Sequence, residues 1–136
     1  GELKADNITL TATALNNTGS KGNIQAKDSL VITLQGDLVN KDGAKIQTSS
    51  ESTHGQLTIE ANRVTNQSIL AANQLTILAA QLDNRTANAS IYGIDKVDLT
   101  LTGQLNNTDN ALIQSDNQLI IDADGNITNS SATLAS

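Results

Sequence analysis

The sequence predicts an all-β fold: a solenoid of about six coils of parallel strands, with about 22 residues in each coil. Three observations predict it. Apolar and polar residues alternate with a period of two, the alternating segments recur at a nearly constant spacing, and Asn, Asp and Gly cluster between them. The repeats fill residues 1–136 with no linker between them, so we expect a single repeat array.

The longer of two repeated motifs reads apolar-x-apolar-x-apolar or small, then a further apolar residue, then Asn. It occurs six times, with first residues Ile8, Leu30, Leu57, Leu75, Val97 and Leu119. Two positions later stand Leu10, Ile32, Ile59, Ile77, Leu99 and Ile121. Side chains two positions apart share one face of a strand. Because both sets are entirely aliphatic, we expect them to stack as two inward-facing rows.

A shorter motif, apolar-x-small, separates the copies of the longer one. Its first residues are Leu3, Ile24, Ile46, Ile69, Ile91, Ile113 and Leu134. They are 21, 22, 23, 22, 22 and 21 residues apart. A spacing this regular indicates that every coil contributes the same element, so we expect two or three short strands in each coil.

An asparagine ends each copy of the longer motif. The six residues are Asn17, Asn40, Asn66, Asn84, Asn107 and Asn129. An Asn side chain at a turn can bond to the turn backbone, and in stacked coils it can also bond to the same residue above and below. We expect this structural role, with ligand binding by the column as the alternative.

The third repeat departs from the pattern through an insertion, "TSSESTHGQ", at residues 48–56. It holds the only histidine, His54, close to Glu51. A His beside a Glu can bind a metal or act as a base, but zinc requires three or four ligands. We interpret the insertion as a solvated loop, with Glu51 and His54 as candidate contacts for a partner.

Composition excludes several classes of site. The chain has no Cys, so disulfides and thiolate metal sites are excluded. Its net charge is −6 and its Lys and Arg residues are scattered, so nucleic-acid binding is not expected. "DADGN" at residues 122–126 lacks the further ligands of a calcium loop. We predict no catalytic residue, no metal site and no cofactor. The eight N-x-S/T sequons leave glycosylation open.

Two other solenoids fit less well. Leucine-rich repeats place Asn after L-x-x-L-x-L-x-x and contain helical or irregular segments, whereas this order is L-x-I-x-A-x-x-L-x-N. A hexapeptide coil requires a six-residue period, which is absent. The chain also opens with "GELKADN", which is not a signal peptide. We therefore expect an internal fragment of a longer exported protein.

The segments "GNIQA", "SLVITLQGDLVN", "QLTIEANRVTN" and "QLTILAAQLDN" resemble the haemagglutinin repeats of filamentous haemagglutinin-like exoproteins. The family pattern is roughly G-x-I-x-A, a gap, L-x-I-x-A, and then L-x-N. The resemblance covers the whole chain. It implies a right-handed parallel β-helix on the bacterial outer cell surface, secreted by the two-partner route. Some members are stalks of contact-dependent growth-inhibition toxins.

The resemblance implies a rigid stalk or adhesive filament segment that presents distal adhesin or toxin domains to target cells. The implied partners are an outer-membrane two-partner secretion transporter and a receptor or glycan on a host or neighbouring cell. From the strand pattern we also expect exposed strand edges at the two ends, which favour end-to-end self-association. The alternative function is a polysaccharide lyase or hydrolase, because such enzymes also use β-helices.

Overall fold

The structure is a computed structural model that describes all 136 residues. It contains thirteen strands and no helix, and hence no helix that could cross a membrane. The strands are β1 (Glu2–Ala12), β2 (Leu15–Thr18), β3 (Asn23–Leu34), β4 (Asp37–Lys41), β5 (Lys45–Thr48), β6 (Gln56–Asn66), β7 (Ile69–Arg85), β8 (Ser90–Leu101), β9 (Leu105–Thr108), β10 (Leu112–Ser115), β11 (Gln118–Ala123), β12 (Ile127–Ser130) and β13 (Thr133–Ala135).

Each coil of the solenoid passes through three faces. In the second coil, the first face carries Ile24, the second carries Leu30 and Ile32, and the third carries Leu38 and Asn40. All strand pairings are parallel and join one coil to the next. With strands about 4.8 Å apart, six coils form a rod roughly 29 Å long.

The predicted all-β solenoid of about six coils is therefore confirmed. Most coils are divided into two or three strands, as expected from the motifs. The fourth coil differs, because β7 is one continuous strand of 17 residues that passes through all three faces, although its register with β8 shifts between Ala72 and Gln74. The strands at the two ends of the rod pair on one side only. They are β1 and β2 at one end and β11, β12 and β13 at the other.

The two predicted aliphatic rows form the core of the second face. The first row is paired in register through Ile8, Leu30, Leu57, Leu75, Val97 and Leu119, and the second through Leu10, Ile32, Ile59, Ile77, Leu99 and Ile121. Their members in the four central coils have no exposed surface. Those in the end coils are partly buried and pack against the same core. Stacking thus gives each central residue like neighbours on both sides.

The shorter motif was assigned to the wrong residue in the fourth coil. The structure pairs Leu70, not Ile69, with Ile46 below and Ile91 above. Leu70 is fully buried, whereas Ile69 is only partly buried and lies between Lys45 and Ser90. Both residues are apolar, so alternation alone could not choose between them. Ser68 is buried and its backbone is hydrogen-bonded to the Asn66 side chain, so alternation places Leu70, two positions later, on the inside.

Two glycines are explained by close backbone approach at the corner between the second and third faces. The Gly103 amide donates a hydrogen bond to the Ala80 carbonyl, and the Gly125 amide donates one to the Gly103 carbonyl, both at 2.7 Å. A Cβ on Gly103 would lie 2.6 Å from the Ala80 oxygen, and one on Gly125 would lie 2.8 Å from the Gly103 oxygen. A side chain at either position would push the coils apart.

The inside–outside assignment can be tested at two adjacent residues of β6. Ile59 is fully buried, whereas Thr58 is half-buried and lies between Val31 and Thr76 in an outward row. We expect Ile59→Asp to lower the free energy of unfolding by at least about 3 kcal/mol, because it buries an unpaired charge. We expect Thr58→Asp to change it by less than about 1 kcal/mol.

Urea denaturation followed by far-ultraviolet circular dichroism measures both variants. Equal tolerance of the two substitutions would contradict the assignment.

Candidate functional site

The six asparagines that end the longer motif lie directly above one another on the third face, and we call them the asparagine column. Each of the first five donates a side-chain hydrogen bond to the side-chain oxygen of the next, and the last, Asn129, only accepts. The distances from Nδ2 to Oδ1 are 2.8–3.0 Å. The chain of amides runs in order through Asn17, Asn40, Asn66, Asn84, Asn107 and Asn129.

Each amide in the column also holds the backbone of the next coil. In the first five asparagines, Nδ2 bonds to the next asparagine and also donates to the carbonyl of the residue that opens the first-face strand after that next asparagine, at 2.8–3.2 Å. The carbonyls belong to Lys45, Ile69, Ser90, Leu112 and Thr133. One NH₂ group therefore bridges the two ends of the turn in the coil above it.

This bridging explains why the turns can differ in length. Only two residues separate Asn66 from Ile69, whereas five separate Asn84 from Ser90. Both ends of each turn stay in register with the neighbouring coils, so the residues between them are free to vary. Several of these residues have left-handed backbone, including Asp42 (φ 59°), Gly43 (φ 85°) and Asp109 (φ 60°).

A column of small residues beside the asparagines was not predicted. It comprises Gly22, Ala44, Ser68, Ala89 and Ala111, all buried. The asparagine side chains leave no room for larger residues here, since a Cβ on Gly22 would lie 2.9 Å from the Asn17 Oδ1. The sequence does carry a signal for this column. A small residue stands two positions before the inward residue of every first-face strand from the second coil onwards.

We propose that the asparagine column stabilises the stack and does not bind ligands. The four interior asparagines have no exposed surface, and both hydrogens of each amide have partners within the protein. No buried side-chain nitrogen or oxygen lacks a hydrogen-bond partner. The burial of a polar group is offset only when its hydrogen bonds are made, and here they are.

The insertion forms a loop at residues 49–55, the third-coil loop, between the first and second faces. The Ser49 amide donates to the Ala26 carbonyl at 2.8 Å, which fixes one end. At the other end, the Gly55 amide donates to the Asn73 Oδ1 at 2.8 Å, and the Gly55 carbonyl accepts from the Asn73 amide at 3.1 Å. Gly55 tolerates no side chain, because a Cβ would collide with Thr48.

Glu51 and His54 are both exposed on this loop. Their backbone amides donate to the hydroxyls of Ser49 and Ser52, each at 3.2 Å, and these bonds shape two tight serine turns. Their side chains form no hydrogen bond or salt bridge. No group of three His, Asp or Glu side chains in the protein could hold a metal ion. The two residues remain candidate contacts for a partner.

The sequons differ sharply in accessibility. Asn66 and Asn84 belong to the asparagine column and have no exposed surface, so a glycan cannot be attached to them in the folded protein. Asn88 lies exposed in the turn between β7 and β8. Glycosylation, if it occurs on the folded chain, is therefore restricted to a subset of the eight sites.

The only aromatic residue, Tyr92, lies on the outside of the first face in β8. Its hydroxyl donates to the Asp116 Oδ2 at 2.6 Å, one coil further along the rod. This hydrogen bond raises the pKa of Tyr92, with smaller contributions from burial and from the negative charge of Asp116. The phenol is thus held in place as a neutral donor.

Comparison with known proteins identifies the repeat. Residues 2–42 and 52–131 match the haemagglutinin repeat family. The chain belongs to this family. The residues between the two matched segments include the start of the third-coil loop, in agreement with the departure of the third repeat from the pattern. The resemblance inferred from the motifs is confirmed.

Two relatives of this haemagglutinin repeat array are much longer proteins. The chain is 31% identical over 122 residues to "Toxin CdiA" of Escherichia coli, which covers 90% of the chain and 4% of the relative. It is 30% identical over 124 residues to "tRNA nuclease CdiA" of Escherichia coli strain NC101, which covers 91% of the chain and 3% of the relative. No solved structure matches the chain.

The asparagine column of the haemagglutinin repeats can be tested by comparing an interior member with the terminal one. We expect Asn84→Ala to lower the free energy of unfolding by about 2–4 kcal/mol, because it removes the hydrogen bonds that Asn84 makes with buried groups of Asn66, Asn107 and Leu112. Asn129→Ala is the matched control. Asn129 is exposed and only accepts one bond, from Asn107, so we expect a loss of less than about 1 kcal/mol.

Chemical denaturation of both variants measures the difference. An Asn84→Ala variant no less stable than Asn129→Ala would show that the column does not stabilise the stack.

The anchor of the third-coil loop can be tested by removing one side chain. Asn73→Ala deletes the acceptor of the Gly55 amide, so we expect amide hydrogen exchange at residues 50–55 to become at least about tenfold faster. The adjacent, exposed Gln74 provides the control, and Gln74→Ala should leave these rates unchanged. If both variants exchanged at the wild-type rate, the anchoring role of Asn73 would be wrong.

The hydrogen bond between Tyr92 and Asp116 can be tested by titrating the Tyr92 phenol at alkaline pH and following its absorbance. The protein has no other Tyr and no Trp, so tyrosinate absorbance follows Tyr92 alone. We expect Asp116→Ala to lower the pKa of Tyr92 towards its ordinary value, because both the hydrogen bond and the negative charge are lost. Since the folded-state pKa is the raised one, the pairing stabilises the fold below the ordinary pKa. That contribution is lost as the pH rises through the folded-state value.

Unchanged absorbance midpoints in wild type and Asp116→Ala would exclude the pairing.

Proposed function

We propose that this array is a rigid stalk segment of a haemagglutinin-like exoprotein, and that it holds domains at one end of the parent protein away from those at the other. The single observation that carries the proposal is the parallel pairing of the second face, which stays in register across six coils. A chain built this way has one long axis and no hinge between its repeats.

The proposed mechanism is mechanical. Of the 96 backbone hydrogen bonds, 69 join residues within the strands. Because the strands pair only with those of adjacent coils, these bonds run from coil to coil, parallel to the axis. The asparagine column adds a line of side-chain bonds in the same direction. Bending or stretching the rod would strain many of these bonds at once, which favours stiffness.

The position of the segment in its parent protein is part of the proposal. The chain spans 4% and 3% of the length of the two relatives, one named a toxin and the other a tRNA nuclease. We infer an internal segment of a longer exoprotein that presents an adhesin or toxin domain to target cells. By analogy with the family, an outer-membrane two-partner transporter exports it to the cell surface, where a distal domain meets a receptor.

The experiment lengthens the rod inside the parent exoprotein. In the register of the first face, residues 24–112 form four whole coils, because Ile24, Ile46, Leu70, Ile91 and Ile113 stack in one row. Three further copies of this block inserted in register add twelve coils. We expect surface filaments longer by about 58 Å in electron micrographs, with the distal domain still displayed.

The control insertion carries Ile59→Asp and Ile77→Asp in every copy, which buries unpaired charges and should prevent the extra coils from stacking. Filaments of unchanged length from the unmodified insertion would contradict the stalk function.

A separate assay addresses the enzymatic alternative. Release of unsaturated sugars from acidic polysaccharides by the purified chain would show that the chain is a polysaccharide lyase and would contradict the stalk function.

A further inference from the structure

The outside of the first face holds a hollow of about 210 Å³ beside the base of the third-coil loop. Ten residues line it, and none of them is Lys, Arg, His, Asp or Glu. The residues that matter most for its chemistry are Gln25, Gln47, Ser49, Ala71, Tyr92 and Ile94. It thus combines amides, a hydroxyl, small apolar side chains and the only aromatic ring of the protein.

The row that forms the floor explains why a hollow exists. Gln47, Ala71 and Tyr92 lie in register on three successive coils. Ala71 has the smallest side chain of the three, so it leaves a gap between the Gln47 amide and the Tyr92 phenol. The coils that carry Gln47 and Tyr92 are two steps apart, which is roughly 9–10 Å. The third-coil loop adds a wall through Ser49.

The polar groups of the hollow are positioned but not saturated. The Gln47 Nε2 donates to the Gln25 Oε1 at 3.3 Å and to the Asn23 Oδ1 at 3.4 Å. These bonds orient two amides and leave the Gln25 Nε2 and the Gln47 Oε1 without partners in the protein. Opposite them, the hydroxyl of Tyr92 is tied to Asp116, which restricts the ring. A donor and an acceptor thus lie across the gap from an aromatic ring.

We propose that this hollow binds one uncharged sugar ring, either a free monosaccharide or one residue of a surface glycan. An uncharged lining favours an uncharged ligand, because burying an unpaired charge is costly. A sugar ring has hydroxyls that bond to amides and an apolar C–H face that packs on an aromatic ring. The volume lies below the roughly 300–1,000 Å³ of sites for drug-sized ligands, so it admits one ring and not several.

The test is a titration of the ¹⁵N-labelled chain followed by two-dimensional NMR. The probes are glucose, galactose and N-acetylglucosamine, with glucuronic acid as the charged comparison. We expect at least one neutral sugar to shift the amide resonances of Ser49, Ala71 and Ile94 with millimolar affinity. Shifts confined to other regions, shifts with glucuronic acid alone, or no shifts with any neutral sugar would overturn the proposal.

Two variants decide whether the hollow itself binds. Ala71→Leu fills the gap without entering the core, and we expect it to weaken binding by about tenfold or more. Thr76→Leu adds bulk to the same strand, β7, on the second face and should bind like the wild type. Tyr92→Leu keeps an apolar side chain but removes the aromatic ring, and we expect it to abolish the sugar-induced shifts. Wild-type affinity in Ala71→Leu or Tyr92→Leu would reject the site.

The proposed stalk function does not depend on this hollow. A negative titration of a folded chain rejects the sugar site alone, and it leaves the filament-length experiment unaffected.

Discussion

The constraint on which the rest of the structure depends is that each coil must place each side chain above its counterpart in the coil before. Parallel pairing in register makes this possible, and the interior is then filled by rows of like residues. An aliphatic side chain in the central coils meets aliphatic neighbours on both sides, so the core needs no large aromatic residues. The asparagine column follows from the same constraint, because an amide can satisfy an identical amide only if the two are stacked.

The asparagine column differs from the aliphatic rows in what it specifies. Burial of Leu or Ile stabilises any register that keeps an apolar residue inside. The neighbouring residues Ile69 and Leu70 illustrate this, because either could face inward on hydrophobicity alone. A column of buried amides is less permissive. A shift by one residue would leave the donors and acceptors of every interior asparagine without partners. We infer that the apolar rows supply most of the stability, while the amides select the register.

The sequence predicted much of this architecture, because a repeat displays the same constraint several times. The two rows that begin at Ile8 and Leu10 were placed correctly in all six coils. The residue error at Ile69 occurred where two adjacent apolar residues made the alternation ambiguous. The small residues beside the asparagines were missed, although each stands two positions before the inward residue of its first-face strand. The hollow at Ala71 could not be predicted, because it depends on one small residue between two larger ones in a row that only the register reveals.

In-register winding about a single axis is the central claim, and a distance between two spin labels tests it most directly. The chain has no cysteine, so Thr9→Cys with Ile120→Cys gives a doubly labelled protein without other changes. These two positions lie in one outward row, five coil steps apart. Pulsed electron paramagnetic resonance should give a narrow distribution centred near 24 Å, which is five times the strand spacing. A broad distribution, or one centred beyond about twice that distance, would contradict the account.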